Sequence, residues 1–103
     1  MFKLERDTRK AIDKLIKHLN EDVTPIFRLC QVPSVRGGAT LDYILCIDGH
    51  FVTIEAKKTG AKMSPRQEAT ATAIRKAGGK VFVISDWEEL SEFTEFVIKL
   101  AAN

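Results

Sequence analysis

The stretch Thr40-Leu-Asp-Tyr-Ile-Leu-Cys-Ile-Asp-Gly-His-Phe-Val-Thr-Ile-Glu-Ala-Lys57 decides the fold. It reads as two β-strands joined at Asp48-Gly49. An Asp-Gly dipeptide between apolar runs suits a type I′ turn, whose two central residues need positive φ. With that turn, Ile47 faces His50, and counting back along the ladder sets Asp42 opposite Glu55. This is a non-hydrogen-bonded pair, the kind whose side chains approach most closely. Two opposed carboxylates repel, and a divalent cation between them would remove the conflict. The strand period of two puts Lys57 on the same face as Glu55. A three-residue loop would instead slide the ladder by one and send Asp42 to the other face. The alternation favours the two-residue turn. Leu41, Tyr43, Leu45 and Ile47 then share a core face with Val52, Ile54 and Ala56. The other face carries Asp42, Ile44, Cys46, Phe51, Thr53, Glu55 and Lys57, and is polar only at the end away from the turn.

Outward from the hairpin, the pattern predicts an amphipathic helix from about Lys3 to Asn20, with Leu4, Ile12, Leu15, Ile16 and Leu19 on its buried stripe. Ile26 to Val32 reads as a strand between Pro25 and Pro33, and Ser34-Val-Arg-Gly-Gly38 as a turn or loop. After a polar connection, Ser64-Pro-Arg-Gln67 opens a second helix, with Ser as N-cap, Pro at the first helical position and Gln three residues after the cap. That helix runs to Ala77 and stops at Gly78-Gly79. Its expected inner face is Ala69, Ala73 and Ala77 with Ile74. Val81 to Ser85 is a short apolar strand. A last helix from about Trp87 to Ala101 buries Leu90, Phe93, Val97 and Leu100. The order αβββαβα predicts an α/β fold. Three antiparallel strands precede a crossover helix and a parallel strand, giving a mixed sheet with helices on both sides.

At 103 residues and 45% hydrophobic content, the chain is expected to form one domain, 1–103, with a single core. No apolar run is long enough to span a bilayer, and the charged start (Lys3, Glu5, Arg6, Asp7) is unlike a signal peptide. Cys30 and Cys46 lie in apolar strand patterns without metal or redox spacing, so both read as buried free thiols in a reducing compartment. That compartment is cytoplasmic (bacterial or phage-infected cell), or nuclear in a eukaryote. The net charge of +2 is unevenly spread. Residues 57–80 hold Lys57, Lys58, Lys62, Arg66, Arg75, Lys76 and Lys80 against the acid Glu68, and the first helix is also rich in cations. A basic middle beside paired carboxylates suits a phosphate-rich substrate. For the first helix alone, an ordinary solvated mixed-charge face explains the pattern equally well. His18 and His50 read as surface or turn residues, since neither has a second His or Cys at ligand spacing.

Taken together, Gly37-Gly-Ala-Thr-Leu-Asp42, Thr53-Ile-Glu55-Ala-Lys57, Ser64-Pro-Arg-Gln67 and Gly79-Lys-Val-Phe-Val83 resemble the VRR-NUC (virus-type replication-repair nuclease) family of the PD-(D/E)xK nuclease superfamily. The resemblance runs from the first helix through the last strand. It implies a restriction-endonuclease-like αβββαβ core followed by a C-terminal helix. It implies Asp42 and Glu55 as metal-binding carboxylates, Lys57 as the lysine beside the attacking water, and the Ala56 carbonyl as a further ligand. Gln67 matches the family's glutamine at the start of the next helix, though completing a capping box with Ser64 also accounts for it. Glu5 matches an additional acidic residue in the first helix, with Asp7 as the alternative. Glu5 also suits a helix N-terminus for electrostatic reasons alone. Leu41 departs from the family pattern, which has proline before the aspartate.

The residue types fit the chemistry. A hard cation such as Mg²⁺, or Mn²⁺, binds one or two carboxylates, keeps several waters and polarises a phosphoryl group. Lys57 can orient a water or stabilise developing negative charge. Lys58, Lys62, Arg66 and Arg36 are the expected DNA-binding cations. The expectation is a metal-dependent DNA endonuclease, specific for branched DNA such as Holliday junctions, acting as a homodimer with two symmetry-related sites. The alternatives are a non-catalytic DNA-binding module on the same scaffold, a nuclease that cuts flaps or duplex with a partner protein, and a regulatory domain docking through the acidic last helix.

Overall fold

The computed structural model describes residues 1–29 and 41–102. The expected loop Ser34–Gly38, the strand residues 30–32, Cys30, Arg36 and the Gly37-Gly38 pair lie outside the described residues. Within them the chain is an α/β fold. It runs α1 (Glu5–Asp22), β1 (Ile26–Leu29), β2 (Tyr43–Ile47), β3 (His50–Ala56), α2 (Pro65–Lys76), β4 (Lys80–Ile84) and α3 (Trp87–Ala102). The strands form a mixed sheet in the order β1-β2-β3-β4, antiparallel at the first two junctions and parallel between β3 and β4. The parallel step follows from α2, which carries the chain back to the end of the sheet where β3 began.

The two-residue turn sets the hairpin register. Asp48 has φ 49° and Gly49 φ 80°, the positive pair that a type I′ turn needs. Ile47 pairs with His50 and Tyr43 with Ile54, which aligns Asp42, one residue before β2, with Glu55. The core face is the predicted one. Tyr43, Leu45, Ile47, Val52, Ile54 and Ala56 are buried against Ile12, Ile16 and Leu19 of α1 and Leu90, Phe93 and Val97 of α3. Leu100 is only partly buried there.

Three expectations need correction. Leu4 is not on the buried stripe of α1. It is the N-cap residue, 45% exposed, and its N–H donates to Asp7 Oδ2 at 3.1 Å. Thr8 takes that place in the stripe with Ile12, Ile16 and Leu19. Second, the inner face of α2 is not the alanine row. Ala69, Ala73 and Ala77 are exposed, whereas Ala71 is buried and Gln67, Thr70 and Ile74 are half-buried. Small residues lie on both sides of this helix, so periodicity gives no direction, and tertiary contacts with Glu55 decide it. Third, Cys46 is exposed rather than buried. It lies on the sheet face opposite the core, near Phe27 and Phe51, which are 66% and 49% exposed.

Helix α2 closes over the other end of that face. Ser64 caps it through its hydroxyl, with Pro65 in the first turn. At its end Gly78 takes φ 92°, and Gly79 leaves no room for a side chain: a Cβ there would lie 2.6 Å from Ile74 Cγ2 and 3.1 Å from Phe51. The chain thus passes directly from α2 into β4. Among the described residues, no helix is long and apolar enough to cross a membrane.

Candidate active site

The site lies at one end of the sheet, where the beginning of β2, the end of β3 and the first turns of α1 and α2 meet. Besides its hydrogen bond with Glu55, two contacts divide the Asp42 carboxylate there. Oδ2 accepts from the Ala56 N–H at 3.0 Å, and Oδ1 accepts from Arg9 Nη2 at 2.9 Å. The first contact extends the hairpin beyond its regular ladder. In extended backbone a residue's N–H and C=O project to the same edge, so the Ala56 carbonyl is directed to the Asp42 side of β3.

Glu55 occupies the facing position and is 1% exposed. Its Oε2 accepts from Gln67 Nε2 at 2.6 Å. Burial is the main reason its carboxyl holds a proton far more tightly than usual. A hydrogen bond with Asp42 and the negative charge of Asp42 add to this, Lys57 opposes it, and Glu5 reinforces it. The result is a pKa pushed up from 4.5 to about 8. The conflict between opposed carboxylates read from the sequence is therefore present in the fold. The protein alone resolves it by keeping a proton on Glu55.

Gln67 makes the capping contacts its position predicts and one more, to Glu55. Its Oε1 accepts from the Ser64 N–H at 3.0 Å, and its own N–H donates to Ser64 Oγ at 3.2 Å, completing a capping box. Its amide nitrogen meanwhile reaches Glu55. One side chain caps α2 and fixes a carboxylate.

The two acidic candidates of the first helix also separate. Asp7 caps Leu4, as described, whereas Glu5 turns to the site. Glu5 Oε2 accepts from Arg9 Nη2 at 3.1 Å, so a single guanidinium nitrogen links Glu5 with Asp42. The start of α1 is pinned to the end of β3 by the buried Thr8, whose hydroxyl donates to the Lys57 carbonyl at 2.7 Å. Further along α1, the Tyr43 hydroxyl donates to Asp13 Oδ1 at 2.8 Å and lies 3.2 Å from the Arg9 carbonyl. Burial and Asp13 raise the Tyr43 pKa, so this phenol keeps its proton.

Lys57 is half-buried beside Glu55. Lys58, Lys62 and Arg66 are exposed on the connection from β3 to α2 and on the first turn of α2. Glu5, Asp42, Glu55, Lys57 and Gln67 are thus brought together. Ala56 lies beneath them, and three of the proposed DNA-binding cations are close to them in the chain. His18 pairs with Asp22 at 2.9 Å on the far part of α1, and His50 is exposed beside the hairpin turn; neither belongs to the site.

Sequence reading passed over Arg9 and Thr8. The i, i+4 spacing of Glu5 and Arg9 was a usable signal for the first. A polar residue on an apolar helical stripe was the signal for the second.

Among the described residues, no three His, Cys, Asp or Glu side chains converge closely enough to cage a metal by themselves. Carboxylate and carbonyl oxygens are nevertheless the donors that Mg²⁺ and Mn²⁺ prefer, and Mg²⁺ needs only one or two carboxylates because it retains water. The Arg9 guanidinium bridges Glu5 and Asp42, and of the three expected metal ligands it touches Asp42. Comparison of the chain with protein-family models, curated proteins and solved structures finds no match.

Proposed function

We propose that this chain is a metal-dependent endodeoxyribonuclease of the VRR-NUC type, built on a restriction-endonuclease-like core and directed to branched DNA. The observation that carries the reading is the placing of Asp42 against the buried Glu55 at one end of the sheet, each held by its own hydrogen bond, with Lys57 beside them. Such a pair loses stability as the pH rises and its proton is drawn off, as expected of a site arranged for a cation rather than for stability.

Asp42, Glu55 and the Ala56 carbonyl would hold the ion. When bound, it polarises the phosphoryl group and makes a bound water more acidic. The chain's own residues do the remaining work. Gln67 holds Glu55 in place through Oε2, and the Ala56 N–H fixes Asp42 through Oδ2, so neither carboxylate is free to turn away. Lys57 supplies a positive charge at the carboxylates, where it can orient a water or meet charge developing on phosphate. Lys58, Lys62 and Arg66 contribute cations for the DNA backbone. A domain this small presents little DNA-binding surface alone. A homodimer with two-fold symmetry would match a four-way junction and place two cutting sites on symmetry-related strands.

The test is a pair of single substitutions, Asp42→Asn and Glu55→Gln. Both should abolish cleavage while DNA binding persists. Cleavage unchanged in both would move the active site elsewhere.

A further inference from the structure

The contact between Arg9 and Asp42 carries one step beyond this reading, and the step rests on it. Arg9 stands on a stem that is fixed without its guanidinium. Thr8, its neighbour, donates to the Lys57 carbonyl at 2.7 Å, and the Tyr43 hydroxyl lies 3.2 Å from the Arg9 carbonyl. The side chain beyond that stem is 47% exposed, so it can swing without disturbing α1. Asp42 is the opposite case. Its side chain is 19% exposed, and Oδ2 is committed to the Ala56 N–H. Arg9 takes Oδ1, the oxygen that the backbone leaves, and the same nitrogen reaches Glu5. A cation entering between Asp42 and Glu55 needs an oxygen of Asp42, and its charge repels the guanidinium already there.

We propose that Arg9 is the internal counter-cation of this site: it neutralises Asp42 and Glu5 until a divalent cation arrives, and it competes with that cation for Asp42 Oδ1. Its position makes it a regulator of metal affinity rather than a ligand. The sequence pattern assigns it no such role, because the acid it shares with the metal is 33 residues away.

The experiment is a calorimetric titration of the whole chain with Mn²⁺, for the wild type, Arg9→Gln and Arg6→Gln. Arg6 is exposed on the same helix, so its substitution makes the same change in net charge. Arg9→Gln should lower the Mn²⁺ Kd about five-fold, about 1 kcal/mol, and Arg6→Gln less than about two-fold. Should Arg9→Gln not fold, Arg9→Lys removes the planar fork and keeps the charge, and should tighten Mn²⁺ about two-fold. A Kd that is unchanged or weakened in the Arg9 variant, while the wild type binds, overturns the counter-cation and leaves the metal site standing. Absence of Mn²⁺ binding in every variant overturns the metal site and the counter-cation together.

Discussion

Gln67 donates to Glu55 across 2.6 Å, and with its other amide atom it accepts from the Ser64 N–H at 3.0 Å. The start of a helix and the orientation of a buried carboxyl are therefore one construction. Gln67→Ala removes both contacts. It should destabilise the fold by about 1 kcal/mol through the cap alone, seen as a thermal midpoint several degrees lower. Gln67→Glu separates the roles: it restores an acceptor for Ser64 but sets a second carboxylate against Glu55. Stability near neutral pH should not return to wild type, and cleavage should fall in both variants.

The raised pKa of Glu55 makes the metal-free protein less stable as pH increases. Between the unfolded value near 4.5 and the folded value near 8, the native state binds the proton that the unfolded chain releases. Stability contributed by this group is therefore full below about pH 4.5 and declines up to about pH 8, in total on the order of a few kcal/mol. Urea unfolding in EDTA at pH 5 to 8.5 measures it. Glu55→Gln, which imitates the protonated carboxyl, should flatten the dependence and be more stable than wild type at pH 8. Mg²⁺ or Mn²⁺ should restore stability to the wild type at pH 8 and not to Glu55→Gln.

Thr8 couples the first helix to the end of β3, the strand that carries Glu55. Thr8→Val keeps the shape of the side chain but leaves the part-buried Lys57 carbonyl without its donor at 2.7 Å. The expected loss is about 1–3 kcal/mol in denaturant unfolding. Because α1 also carries Glu5 and Arg9, cleavage should fall more in this variant than in one equally destabilised at α3, such as Val97→Ala.

Much of this arrangement was legible in the chain because local rules agreed. Asp48-Gly49 fixed the turn length, the turn length fixed the register, and the register placed Asp42 against Glu55. Ser64-Pro65-Arg66-Gln67 announced the start of α2 for a reason that holds in the fold. What could not be read depended on tertiary choice. The helix α2 has small residues on both sides, so nothing local told Ala71 from Ala73. The exposure of Cys46 follows from how far α2 reaches across the sheet, which no pattern within β2 encodes. Arg9 looked like one of several cations on a solvated face until the fold brought Asp42 to it.

The structural contacts of Asp42 and its proposed part in cleavage should be separable by substitution. Asp42→Asn retains an oxygen for the Ala56 N–H and gives up the charge that draws Arg9. The protein should remain folded, with binding of DNA kept or improved by the loss of a negative charge. Cleavage should drop by at least about a hundred-fold. Circular dichroism, a binding titration and a gel assay on the same sample check the three statements.

The most direct measurement is cleavage of an end-labelled four-way junction, beside linear duplex and flap controls, in Mg²⁺, Mn²⁺ or EDTA, with Asp42→Asn as the inactive control. Paired, symmetric cuts at the junction that need the metal and vanish in Asp42→Asn are the predicted result. Metal-dependent cutting of flaps or duplex alone would contradict the assignment to junctions and keep the active site. No cutting in any metal, with salt-sensitive DNA binding intact, would contradict the nuclease and leave a DNA-binding module on this scaffold.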